Sequence, residues 1–245
     1  MHRLAQSLLL LVFGATMLRT GLTDLHLRYV AEPLGPLLVV AGGTVLIAAL
    51  VALRHDLDLA DTRATVRVGP GSVGHQHGGD HGPAVAWLLV LPVLALTLLA
   101  PPALGAYRAE RTGTMLHRSP GVSYPALPAE DPVTLTLYEF AYRASTDAGA
   151  SLAGRRVRLI GFVATGPDGR LLLARIVVSC CAADGRPIKV GLTGQVPARL
   201  VPDTWIEVTG RRSTRIGTDP ANDGPIPYLH VDGWQPVPAP RQPYE

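Results

Sequence analysis

Charged side chains vanish from three stretches of this chain and recur regularly everywhere else. Leu4 to Leu18 is an uncharged run bounded by Arg3 and Arg19. Extended to Leu22, with the arginine snorkelling, it reaches spanning length. A signal peptide is the competing reading, since a basic start and an apolar core are both present, but no small-x-small cleavage site follows. Leu34 to Leu53 is the cleanest transmembrane pattern, with Pro36 at its entry and Gly42-Gly43 in its middle, where small residues permit close helix packing. Ala84 to Ala106 is the third run. Pro92 would kink it, and Trp87 and Tyr107 suit interfacial anchoring. The expectation is a helical membrane region over 1–107 with about three spans.

Period-two alternation takes over after a Pro/Gly/Ser-rich linker at 108–131. A short strand near Thr134 to Leu137 and a helix from Tyr138 to Ala148 precede five strand-like runs: Arg156 to Ala164, Leu171 to Cys181, Ile188 to Leu192, Thr204 to Arg211 and Ile226 to Trp234. A helical connection, Val196 to Val201, falls between the third and fourth. Five short strands with that insertion predict an all-β OB-like barrel over 132–235, followed by an irregular tail at 236–245. Alternation turns Ile206, Val208, Leu229 and Val231 inward, and Trp205, Tyr228 and His230 outward.

The chain is 47% hydrophobic with a mean hydropathy of +0.24. That excess sits in the first half and so supports the membrane reading. The net charge is +3, carried almost wholly by arginine. From Pro120 to Glu245 there are thirteen Arg/Lys against twelve Asp/Glu. Such a balance does not make the positive, aromatic-lined groove of a single-strand binder, so nucleic acid is not an expected partner. No Ser/His/Asp set, phosphate loop or His-Glu-x-x-His motif is present, and the cysteines lack Cys-x-x-Cys spacing. The chain is not expected to be an enzyme.

Candidate ligands fall in two places. The hydrophilic loop 54–83 becomes glycine-rich and carries His75, His77, Asp80 and His81, and a flexible background lets His75, His77 and His81 converge on one ion. Cys180 and Cys181, the only cysteines, stand where an apolar strand meets the turn Ala182-Ala183-Asp184-Gly185. With Asp184 they suit zinc or another soft metal; no other cofactor is implied. The competing readings are a solvated linker for the histidines and small buried hydrophobes for the thiols. Alternation puts Cys180 inward and Cys181 on the accessible face. Adjacent side chains on a strand diverge, so only a twist into the turn would bring both sulfurs to one ion.

The runs GRRVRLIGFVA, LLLARIVVSCCAADGRPIKV and DTWIEVTGR resemble the C-terminal domain of the YcgQ-like family of two-component membrane permease subunits. Ser179 to Asp184 is the sharpest element, and Asp203 to Ile206 supports it. The layout of apolar spans, histidine-bearing loop and linker is also similar, though this histidine loop is sparser than relatives can carry. The resemblance implies a separate multi-span permease chain as partner, similar to exporters of metal and metalloid species. Three functions then compete: an accessory subunit of that permease, a membrane-tethered metal-binding protein without a permease partner, and a thiol enzyme. No span carries a charge that would mark an ion route, which favours the accessory role.

With three spans, Arg3, Arg54, Arg63 and Arg67 would lie on one side of the membrane. Arg19, Arg28, Arg108, Arg111 and Arg118 would lie on the other. The expected location is the cell membrane, with membrane lipid around the spans and the barrel extracytoplasmic.

Overall fold

The computed structural model describes residues 2–66, 102–117, 124–146, 149–197 and 199–245. The chain divides into two compact units, the N-terminal helices in one and Leu27–Glu32 together with Ala103–Glu245 in the other.

In the first unit, α1 (His2–Leu22) and α2 (Gly35–Val66) pack against each other. Glycine sets their spacing. A Cβ on Gly42 would come within 2.7 Å of Leu18 N, and one on Gly14 within 2.8 Å of Leu46 N, so the two backbones approach where no side chain could fit. Gly43 faces open space. Of the glycine pair, only Gly42 serves the packing. Ser7 Oγ donates to Asp56 Oδ2 at 3.1 Å. Leu8, Val12 and Phe13 on α1 and Leu37, Val40, Ile47 and Val51 on α2 remain exposed.

Glu32–Leu57, 26 residues with a hydropathy of 2.5, is long and apolar enough to cross a membrane; Gln6–Leu22 is a shorter apolar helix. The expectation of three spans is therefore met by one helix of full length among the described residues. Most of the third apolar run lies outside the described residues, and its last residues fall elsewhere than expected. Ala103 to Ala106 belong to the second unit, where Ala106 begins a short helix, α3 (Ala106–Arg111). Ala106 and Ala109 pack in that unit's core.

The second unit is a closed barrel. Its strands are β1 (Val133–Thr134), β2 (Arg156–Thr165), β3 (Leu171–Val177), β4 (Arg186–Gly194), β5 (Trp205–Thr218) and β6 (Pro225–Pro236). The sheet order is β1-β2-β3-β4-β6-β5, and β2 pairs again with β5 to close a five-stranded ring, with β4 and β6 parallel. β2 does this by serving two partners: Arg156 to Phe162 pair with β5, and Phe162 to Thr165 pair with β3. Gly161 sits at that change of partner, where a Cβ would come within 2.8 Å of Ala174 O. A barrel corner of this kind requires glycine.

Alternation sorts two cores. Val157, Leu159, Leu173, Ile188, Val190, Ile206, Val208, Leu229 and Val231 fill the interior, which α4 (Leu137–Thr146) closes through Leu137, Phe140, Ala141 and Ala144. The inward set Ile206, Val208, Leu229 and Val231 is confirmed at 0% exposure. The opposite face is a second core of Phe162, Ala164, Leu172, Ala174, Ile176, Ile226, Tyr228 and Tyr244, covered by α3. Tyr228 faces outward as alternation requires but is buried there, while His230 is exposed. The predicted helix Val196 to Val201 is absent among the described residues of that stretch. The tail is irregular as expected but anchored: Tyr244 bridges to Ile176, and the Glu245 carboxylate accepts from Leu137 N and Tyr138 N, capping α4.

Candidate metal centre

Strand pairing of β3 ends at Val177, three residues before Cys180. Past it the chain curls around one carboxylate. Asp184 Oδ1 accepts from Ser179 N at 2.9 Å, and Oδ2 accepts from Cys180 N at 2.8 Å and Cys181 N at 3.3 Å. Cys181 begins the 3-10 turn Ala182–Asp184 in extended conformation, and the Asp184 N–H bonds back to it. The sequence Cys181-Ala182-Ala183-Asp184 is therefore a capping box with cysteine in the place of serine. That spacing is the signal by which the turn could have been found.

The curl removes the divergence expected of adjacent strand residues. The two Sγ atoms lie 3.7 Å apart, and Cys180 Sγ donates to Asp184 Oδ2 at 2.9 Å. All three ligand atoms lie within 4.8 Å of one another, the sole such grouping among the described residues. Cys180 is exposed and Cys181 half-buried, the reverse of the order that strand alternation predicted. The reason is that the strand stops before it reaches them. His75, His77 and His81 lie outside the described residues.

Electrostatics couples the cysteine to the carboxylate. The hydrogen bond to Asp184 pushes the Cys180 thiol up to about 11, with the neighbouring Cys181 adding to it. The same thiol, together with the backbone N–H groups of Ser179 and Cys180, holds Asp184 well below the usual carboxylate range. Cys180 is thus a protonated thiol at neutral pH, a poor nucleophile but a proton-bearing ligand atom beside a fixed anion.

A segment from far earlier in the chain backs the turn. Val30 forms an antiparallel bridge with Cys181; Ala31 N donates to Cys180 O at 3.0 Å, and Ala182 N donates to Tyr29 O at 2.7 Å. The turn is therefore gripped by main-chain bonds, and the two thiols are engaged only within it, with each other and with Asp184. Tyr244 ties the same region together, its hydroxyl accepting from Leu104 N at 2.9 Å and donating to Arg28 O at 2.8 Å. Sequence reading missed Tyr29 to Ala31, because a short polar connection between two apolar runs carries no periodicity.

The Asp203-Thr204-Trp205 element is structural. Asp203, at φ 66°, accepts from Ala106 N at 2.6 Å and so fixes the start of α3. Trp205 meets Phe162 edge-on at 5.6 Å and lies 5.0 Å beneath the Arg175 guanidinium. Arg175 is buried, its Nε 3.4 Å from Glu245 Oε1, and burial lowers its pKa against the pull of that carboxylate. These residues hold the strand that leads to the thiols.

Residues 136–245 match the family described as DUF1980 C-terminal domain. The match takes in the thiol turn, the Asp-Thr-Trp element and all five barrel strands, and excludes the N-terminal helices. Comparison with curated proteins gives no match.

Proposed function

We propose that this chain is a membrane-anchored accessory subunit of a multi-span permease of the YcgQ-like, two-component kind, and that its barrel presents a metal or metalloid species to the transporting chain. The observation that carries this reading is the convergence of Cys180 Sγ, Cys181 Sγ and Asp184 Oδ2 on a surface turn of an otherwise closed barrel. A ligand set on a rigid scaffold is pre-organised for capture, and exposure leaves it open to exchange. The apolar α2 supplies the anchor, and neither it nor α1 carries a charge within its apolar core to mark an ion route of its own. An enzymatic role is disfavoured because Cys180 is held as the thiol, not the nucleophilic thiolate.

A multi-pass arrangement with the barrel outside the cytoplasm completes the proposal. That Leu27–Glu32 belongs to the barrel unit supports an arrangement in which the connection between α1 and α2 shares the barrel's side of the membrane. The test is titration of the purified full chain with zinc(II) and with a trivalent arsenical, together with alkylation of intact cells by a membrane-impermeant maleimide. Uptake near one equivalent, lost in the Cys180→Ser/Cys181→Ser double variant, and labelling from outside are the expected results. No uptake of either probe by the wild-type chain would sink the metal reading and leave the barrel as a docking module.

A further inference from the structure

Resting on the reading that the thiol turn binds a soft ion, we infer that its occupant is a single divalent cation of the zinc type. It would be held four-coordinate by Cys180 Sγ, Cys181 Sγ and Asp184, with the fourth position open to an exchangeable outside ligand.

The separation of the sulfurs selects the geometry. Two thiolates on one tetrahedral ion, each at about 2.3 Å, stand about 3.8 Å apart. The observed separation is 3.7 Å. A linear two-coordinate ion at the same bond length would need about 4.6 Å, which the main-chain bonds of Cys180 O and Ala182 N to Ala31 and Tyr29 resist. The second edge is tighter than the metal requires, with Cys180 Sγ and Asp184 Oδ2 2.9 Å apart around a shared proton, while Cys181 Sγ stands within 4.8 Å of the carboxylate. Tetrahedral coordination opens that edge to about 3.5 Å when the proton is exchanged for the larger cation. Asp184 is restrained during this by Ser179 N on its other oxygen.

Three donors on a surface turn leave one face of the ion uncovered. Among the described residues no fourth His, Cys, Asp or Glu joins the group. Three protein ligands and an open position mark a site for reaction or exchange, whereas a closed set of four marks a structural one. Here there is no bond to make or break beyond coordination. Each thiol gives its proton to solvent as it ligates, so two protons leave for each ion bound and affinity rises with pH. The uncovered position is where a receiving ligand from another chain attaches before the sulfurs let go.

The experiment uses the full chain in detergent, with His75, His77 and His81 changed to alanine so that the loop contributes nothing. Cobalt(II) is the probe, with zinc(II) as competitor and imidazole as the outside ligand. The expected result is one equivalent of cobalt with the intense visible absorption of a four-coordinate ion and a sulfur-to-cobalt charge-transfer band. Zinc should displace it, and imidazole should alter the spectrum without releasing the metal. Cys181→Ser should weaken the charge-transfer band to the share of the single remaining thiolate, and the Cys180→Ser/Cys181→Ser double variant should abolish it, with thermal unfolding unchanged in both. Asp184→Asn should keep the band while weakening affinity about ten- to a hundredfold. Cobalt bound with the weak spectrum of a six-coordinate ion, or a spectrum indifferent to imidazole, would overturn the inference and leave the metal reading standing. Binding of a trivalent arsenical across both thiols, without cobalt or zinc uptake, would do the same. Failure of every probe would remove both.

Discussion

Cys180 and Asp184 are one titrating unit, and the sign of each shift fixes the pH window in which their hydrogen bond exists. The carboxylate is held below its ordinary range, so its contribution to the turn is present above about pH 4 and is lost as pH falls well below that. The thiol is raised, so its contribution is present below its ordinary value and is lost as pH rises toward about 11. Between those limits the thiol proton is shared and the turn is closed. Asp184→Asn removes the anion that raises the thiol. Alkylation of Cys180 by iodoacetamide at pH 8 should then speed up, by about tenfold or more, because rate follows the thiolate fraction. An unchanged rate and pH profile would mean that Asp184 does not set this thiol's acidity. Strand alternation misassigned these two cysteines for a physical reason. The alternation rule holds only while ladder hydrogen bonds continue, and a carboxylate three to five residues ahead captured the amides first. The capping-box spacing was in the sequence; the end of the ladder was not.

Among the elements, those defined by periodicity were legible and those defined by a single distant contact were not. All five barrel strands overlap the runs that alternation marked, since each has one face in a core, but β3 stops four residues short of its predicted end and β5 runs seven residues past its own. Tyr244 shows the limit. It sits in an irregular tail, yet it fills the outer core and its hydroxyl satisfies two main-chain groups, Leu104 N and Arg28 O. Tyr244→Phe keeps the ring and strands both partners. It should therefore lower stability to thermal unfolding by about 1–3 kcal/mol, and Tyr244→Ala should cost more by emptying part of the core. Equal stability of the wild type and Tyr244→Phe would show that water satisfies those groups.

Over the whole molecule, the two units differ in what they expose. The helical unit exposes Leu8, Phe13, Leu37, Val40, Ile47 and Val51, which suits lipid, while the barrel gathers most of its large apolar residues into two cores, leaving Val201 and Ile216 among those exposed, and keeps its charges in balance. Alkaline carbonate washing should leave the full chain in the membrane fraction. Val45→Arg puts a charge near the centre of the Glu32–Leu57 segment at a cost of about 2.5–3.5 kcal/mol on insertion scales, and should reduce insertion measurably. Insertion of that variant at the wild-type level would mean that the helix does not span. Hydropathy made this unit visible at once. The close approach of α1 and α2 was only half legible, because the sequence shows two adjacent glycines and not which of them faces the neighbour.

The pairing of Val30 with Cys181 also imposes an order on biosynthesis. Tyr29 to Ala31 leave the ribosome about 150 residues ahead of the turn they complete, a delay on the order of ten seconds at ordinary synthesis rates. The brace can therefore form only after both segments exist, and a barrel released without its N-terminal segment would lose the main-chain bonds to Tyr29 and Ala31 and hold its two cysteines by Asp184 alone.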